Sequence, residues 1–89
     1  MSIHELRNKI DALDKEILIA MANRRDIVKQ IGTKKQELDI PPKDETRWKE
    51  VIRSRMMQGK ELGIPEHVVS SIWDIFHAWS LEIESKHED

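Results

Sequence analysis

An apolar residue recurs at every third or fourth position from Ile3 to Ile31, and this step constrains the fold more than any other feature of the 89-residue chain. It runs through Leu6, Ile10, Leu13, Ile17 and Ala20, meets Arg24, resumes at Ile27 and Ile31, then meets Lys34 and Lys35. Ser2 and Glu5 stand in capping-box spacing at its start. Ile40-Pro41-Pro42 ends it, because proline lacks the amide hydrogen and forces the preceding residue into extended geometry. The spacing predicts one helix from Ser2 to about Leu38, spanning about 50 Å at ~1.5 Å per residue. A chain this short cannot wrap enough of its own surface around such a helix, and a dimer is the simplest remedy. Arg24 lies in the seam itself. Burying a guanidinium without a partner costs several kcal/mol, so its position predicts a bound anion or an acidic neighbour.

The rest of the chain reads as two shorter helices. One is predicted from about Lys43 to Glu61, with Trp48, Val51, Ile52, Arg55 and Met56 on its inner side. Gly59 and Gly63 loosen its end, and Pro65 suits the first turn of a third helix reaching about Ser85. Along that helix Val69, Trp73, Phe76, Ser80 and Glu84 keep the three-and-four step, so an apolar stripe ends in a hydroxyl and a carboxyl. Trp73, Phe76 and Trp79 read as core. No repeat or internal boundary interrupts residues 1–89, which are expected to form one all-α domain, with Lys86 to Asp89 a frayed tail.

Composition excludes several classes. Only three Gly and three Pro accompany 36% charged and 38% hydrophobic residues, as suits a helical protein. A net charge of −2 without a basic block argues against a general nucleic-acid or membrane binder. Cysteine is absent, which fits a reducing cytoplasm and excludes disulfides and thiolate metal sites. His4, His67, His77 and His87 show no metal-ligand spacing on one helix face, so no zinc site is expected. No signal peptide or membrane span is apparent.

Helical geometry gathers the unusual residues. Arg24, Val28, Ile31 and Lys35 project in nearly one direction, since eleven residues at ~100° each return almost to the starting angle. Arg7 lies seventeen residues before Arg24. That is about 25 Å along the axis, too far for both to grip one small ligand within a chain. If two long helices run antiparallel, Arg7 of one approaches Arg24 and Lys35 of the other, and an isologous dimer holds two equivalent sites.

Together these segments resemble the AroQ-type, all-helical (type II) chorismate mutases. The matching residues are Leu6-Arg7-Asn8-Lys9-Ile10-Asp11-Ala12-Leu13-Asp14, then Asn23-Arg24-Arg25, Ile31-Gly32-Thr33-Lys34-Lys35 and Pro42-Lys43-Asp44-Glu45-Thr46-Arg47. The resemblance covers almost the whole chain. It implies an intertwined homodimer of three-helix protomers that converts chorismate to prephenate, the committed step toward phenylalanine and tyrosine, without cofactor or metal. It also implies roles. Arg7 crosses from the partner to a substrate carboxylate, Arg24 is the main carboxylate-binding arginine, and Lys35 reaches a carboxylate and the ether oxygen. Arg47 lies near the substrate and Asp44 beside the ring hydroxyl. Ser80 helps hold the ring carboxylate, and Glu84 faces the ether oxygen.

The chemistry suits these residue types. A Claisen rearrangement is intramolecular and pericyclic, so restraint of a dianion in a compact conformer is the main requirement, and arginine–carboxylate contacts supply it. Negative charge grows on the ether oxygen as its C–O bond lengthens, where Lys35 and a donor from Glu84 favour the transition state. Glu84 donates only when protonated, so activity is expected to rise on the acid side of neutrality, and Glu84→Gln is expected to flatten the profile.

Trp48 departs from the pattern, standing where many relatives place a glutamate that contacts the substrate hydroxyl. Recognition of that group is expected to shift to Asp44 or to backbone groups. Isochorismate-pyruvate lyases, a related branch of the fold, also lack the glutamate, whereas Ser80 paired with Glu84 resembles a mutase. A non-catalytic helical dimerisation module is the competing class. It explains the first helix, but not why Arg24, Lys35, Arg47, Ser80 and Glu84 border apolar stripes. Taken singly, each has a plainer reading: Arg24 as a snorkelling side chain, Lys35 and Arg47 as solvated surface, Asp44 as a helix cap, Ser80 and Glu84 as the wet end of a helix. Arg25, Arg53 and Arg55 read as surface or dimer charges. The opening methionine and charged tail favour a free-standing enzyme.

Overall fold

A computed structural model describes residues 1–86 and contains three helices, α1 (Ile3–Glu37), α2 (Glu45–Glu61) and α3 (Glu66–Ser85). The all-α, three-helix expectation holds, with no strand among the described residues. Residues 87–89, most of the expected frayed tail, lie outside the described residues.

α1 begins as its capping box requires, with Ser2 Oγ accepting from the Glu5 amide at 3.1 Å. Its end is a left-handed reversal. Asp39 takes φ +58°, its amide donates to the Gln36 carbonyl at 3.2 Å, and the Ile40 amide donates to the Lys35 carbonyl at 2.8 Å. This Schellman arrangement satisfies carbonyls that the helix leaves free and turns Pro41-Pro42 back over Lys35. The Lys35 Nζ then donates to the Pro42 carbonyl at 2.7 Å.

α2 starts two residues later than the predicted Lys43, because Asp44 takes the cap and its carboxylate accepts from the Arg47 amide at 3.0 Å. At its other end Gly63 has φ +75°, and the Gly63 and Ile64 amides donate to the carbonyls of Lys60 and Gly59 at 3.0 and 2.8 Å. Glycine suits that reversal because a Cβ there is strained. Pro65 caps α3 rather than occupying its first turn, again where a missing amide hydrogen costs nothing.

α3 packs against both α1 and α2, which do not pack against one another. Gly59 allows the α2–α3 approach: a Cβ there would lie 2.6 Å from Val69 Cγ2. Gly59 therefore serves close packing as well as the helix end. Among the described residues the buried apolar ones are Val28, Val51, Val69 and Ile83, a small core for a chain measuring 55 × 24 × 14 Å. All of residues 1–20 are exposed, including Leu6, Ile10, Leu13 and Ile17 of the apolar seam. The accessible surface is 7217 Å², against about 5,400 Å² for a compact monomer of this mass.

Candidate active site

Where α3 bridges the other two helices, a cavity of about 290 Å³ opens between all three. Small-molecule pockets begin near ~300 Å³, so it suits a compact ligand. Arg24, Val28, Ile31 and Lys35 enter from α1. Their shared direction, predicted from the helical repeat, is what places them on one wall. Pro42 and Asp44 form an edge, Arg47, Trp48, Val51 and Arg55 come from α2, and His77, Ser80, Leu81 and Glu84 from α3.

The two α1 cations are held differently. Arg24 Nη1 donates to Ser80 Oγ at 3.1 Å, and its guanidinium lies 5.1 Å from the centre of the Phe76 ring. Phe76 is itself set edge-on against Trp73, with ring centres 5.3 Å apart. Both contacts orient Arg24 without neutralising it. Burial, and then the charge of Arg55, push the Arg24 guanidinium below its ordinary pKa. It remains a cation at neutral pH.

Lys35 Nζ lies 2.7 Å from Glu84 Oε1, between side chains that are 20% and 9% exposed. The contact is charge–charge rather than a well-directed hydrogen bond, because the buried Oε1 has no hydrogen-bond partner among the described residues. Glu84 is the only buried charged residue described. A buried carboxylate oxygen one lysine away from an open cavity is suited to receive a further polar group.

The remaining polar residues line the rim and far wall. Asp44 is engaged as the α2 cap, so its carboxylate already serves the structural role weighed for it. Arg47 is exposed and lies 3.6 Å from Glu50. Trp48 stacks on His77, with ring centres 4.1 Å apart and planes 12° from parallel. A flat apolar wall thus stands at the position where a carboxylate had been the family expectation.

Of the residues singled out from sequence, Arg24, Lys35, Asp44, Arg47, Trp48, Ser80 and Glu84 all line this one cavity. Arg7 does not; it sits on the exposed half of α1. Two lining residues that carry chemistry were missed. Arg55, read as a surface or dimer charge, is half-buried in the cavity wall, and His77 is part of the aromatic stack. The signal for Arg55 was available: it shares the inner side of α2 with Trp48 and Val51, a cation among apolar residues as Arg24 is. His77 offered no such signal, since its role depends on a residue from another helix.

The family described as chorismate mutase type II matches residues 6–85. A chorismate mutase from Methanocaldococcus jannaschii is 32% identical over 71 residues, covering 80% of this chain and 72% of that protein. T-proteins from Enterobacter agglomerans and Haemophilus influenzae are 28% and 25% identical over 67 and 71 residues, or 75% and 80% of this chain. The chain spans only 18% and 19% of the length of those T-proteins. A match over nearly the whole sequence, with Arg24, Lys35 and Arg47 gathered in one cavity, means that the chain belongs to the chorismate mutase type II family.

Proposed function

We propose that this chain is a chorismate mutase, catalysing the rearrangement of chorismate to prephenate. The observation that carries the reading is the convergence of Arg24, Lys35, Ser80 and Glu84 on one cavity, from two helices and far apart in sequence. Arg24, aimed by Ser80 and Phe76, receives a carboxylate. Lys35, tethered to the Pro42 carbonyl and beside Glu84, meets the ether oxygen. In the reaction that C–O bond breaks as a C–C bond forms between the enolpyruvyl terminus and the ring, within one molecule. Preorganised donors at the developing charge are worth about 3–4 kcal/mol each in typical enzymes. Arg47 and Asp44 act from the rim, and Trp48 supplies a flat wall for the ring.

The active form is an intertwined homodimer in which the partner subunit's Arg7 completes each cavity. Four buried apolar residues among those described make a poor core, while the seam from Ile3 to Ile17 lies open and the surface exceeds that of a compact monomer. Apolar surface on this scale is what an obligate dimer buries. The cytoplasm is the proposed compartment, in keeping with the absence of cysteine. Among the described residues no helix is long and apolar enough to cross a membrane.

The test follows loss of chorismate absorbance with purified protein and identifies the product. Prephenate supports the reading; absence of conversion overturns it. The Trp48–His77 stack, in place of a carboxylate, favours one second reading, an isochorismate-pyruvate lyase. Salicylate fluorescence from isochorismate, without prephenate from chorismate, would establish that reading instead.

A further inference from the structure

Two guanidiniums face the same cavity from different helices, Arg24 on α1 and Arg55 on α2. Neither forms an ion pair among the described residues, whose ion pairs engage other side chains. The cavity's two carboxylates are committed elsewhere, Asp44 to the α2 cap and Glu84 to Lys35. Arg24 donates to Ser80 Oγ, and Arg55 Nη1 donates to the adjacent Ser54 Oγ at 3.2 Å. Both partners are neutral, so the positive charge stays uncompensated.

We propose that Arg55 is a further substrate-binding residue, pairing with Arg24 to receive one carboxylate of a small organic dianion. This rests on reading the cavity as a dianion site. Arg55 follows Val51 by one helical turn and Trp48 by two, so the buried Val51 fixes the α2 face that carries it. It is more buried than Arg47, whose guanidinium turns outward toward Glu50. Two like charges in a partly desolvated cavity destabilise the empty protein, and the push that Arg55 exerts on Arg24 is a sign of it. A carboxylate between them converts that repulsion into two charge-assisted contacts. Each guanidinium has donors left for it, since a planar fork carries five N–H groups.

The test is calorimetric titration with an oxabicyclic dicarboxylate that mimics the transition state, and with its monomethyl ester at the carboxylate expected near Arg24. Wild type, Arg55→Met, Arg55→Gln and Arg55→Lys are compared, and the melting temperature of each empty protein is recorded. Loss of a hydrogen-bonded charge contact predicts at least about tenfold weaker dicarboxylate binding in the Met and Gln variants, with part of it restored in Lys. The monoester, lacking the charge, should lose less than about threefold by the same reasoning. Empty Arg55→Met should melt no lower than wild type, because a repulsion has been removed. Undiminished dicarboxylate binding in Arg55→Met and Arg55→Gln overturns the proposal, as does an equal loss for both ligands, which would mark a merely structural role. A wild-type protein that binds neither compound overturns the dianion reading itself, and this proposal with it.

Discussion

Replacing Gly59 with alanine tests how α2 is held against α3, and hence how Arg47, Trp48 and Arg55 are positioned. In an ordinary helix the change would stabilise by up to about 1 kcal/mol, because alanine is the better helix former. Here the new Cβ would meet Val69 Cγ2 at 2.6 Å, whereas carbon atoms in contact rest at about 3.5–4.0 Å. Val69 is 4% exposed and β-branched, and in a helix valine strongly prefers one χ1 rotamer. It cannot swing aside cheaply, so the helices must part by about 1 Å. Overpacking of this kind costs about 1–3 kcal/mol, and a central cost of about 2 kcal/mol outweighs the propensity gain and leaves a net loss of roughly 1 kcal/mol. For a domain of this size that lowers the melting temperature by about 4–8 °C. Thermal unfolding followed by circular dichroism, at one fixed protomer concentration, measures it. Gly59→Ala combined with Val69→Ala should be less destabilised than the sum of the two single changes, since the second removes the obstructing methyl. Because α2 packs on α3 and not on α1, the displaced helix should also raise KM. A Gly59→Ala protein as stable as the parent, or strictly additive effects in the double variant, would refute the close-contact account.

Three further outcomes are expected. Leu13→Asp places a charge in the exposed seam of α1; if the seam is the dimer interface, two leucines lose about 1.5–3 kcal/mol of burial each, dissociation rises by more than ~100-fold, and activity falls with it. Sedimentation equilibrium with parallel assays checks this, and a fully active monomer would contradict the shared site. The Glu84 carboxylate lies 2.7 Å from the Lys35 ammonium, and as a carboxylate it cannot donate to an ether oxygen, whereas a glutamine amide can. Glu84→Gln should therefore raise kcat for chorismate at neutral pH, and a rate no higher than the parent's would remove Glu84 from the proposed role. Gly63→Ala forces a Cβ into φ +75° and should cost about 1–2 kcal/mol in chemical denaturation without altering KM; a neutral effect would mean that the connection before α3 relaxes freely.

Much of this protein is written in local order. The seam from Ile3 to Ile31, the Ser2 cap and the prolines at 41 and 42 suffice for a helix of 35 residues, because helical periodicity and capping act within a few residues of one another. The same periodicity already put Arg24 and Lys35 on one wall, and Ser80 and Glu84 on another. Other features required the folded chain. The start of α2 depended on which polar residue took the cap, a choice between neighbours that propensity resolves poorly, and Asp44 won by reaching the Arg47 amide. Gly59 read as a loosened helix end until the helices met over Val69.

The site divides along the same line. Sequence alone marked the cations that interrupt apolar stripes, since a charge in a buried seam is costly wherever the chain folds. Only the tertiary structure decided which groups neutralise one another and which stay free. Lys35 and Glu84 became a pair, Trp48 found His77, and Arg24 and Arg55 met without a counter-ion. Periodicity fixes the direction of a side chain about its own helix axis. The distance between charges on different helices is set by how those helices pack, and Coulomb interaction depends on that distance.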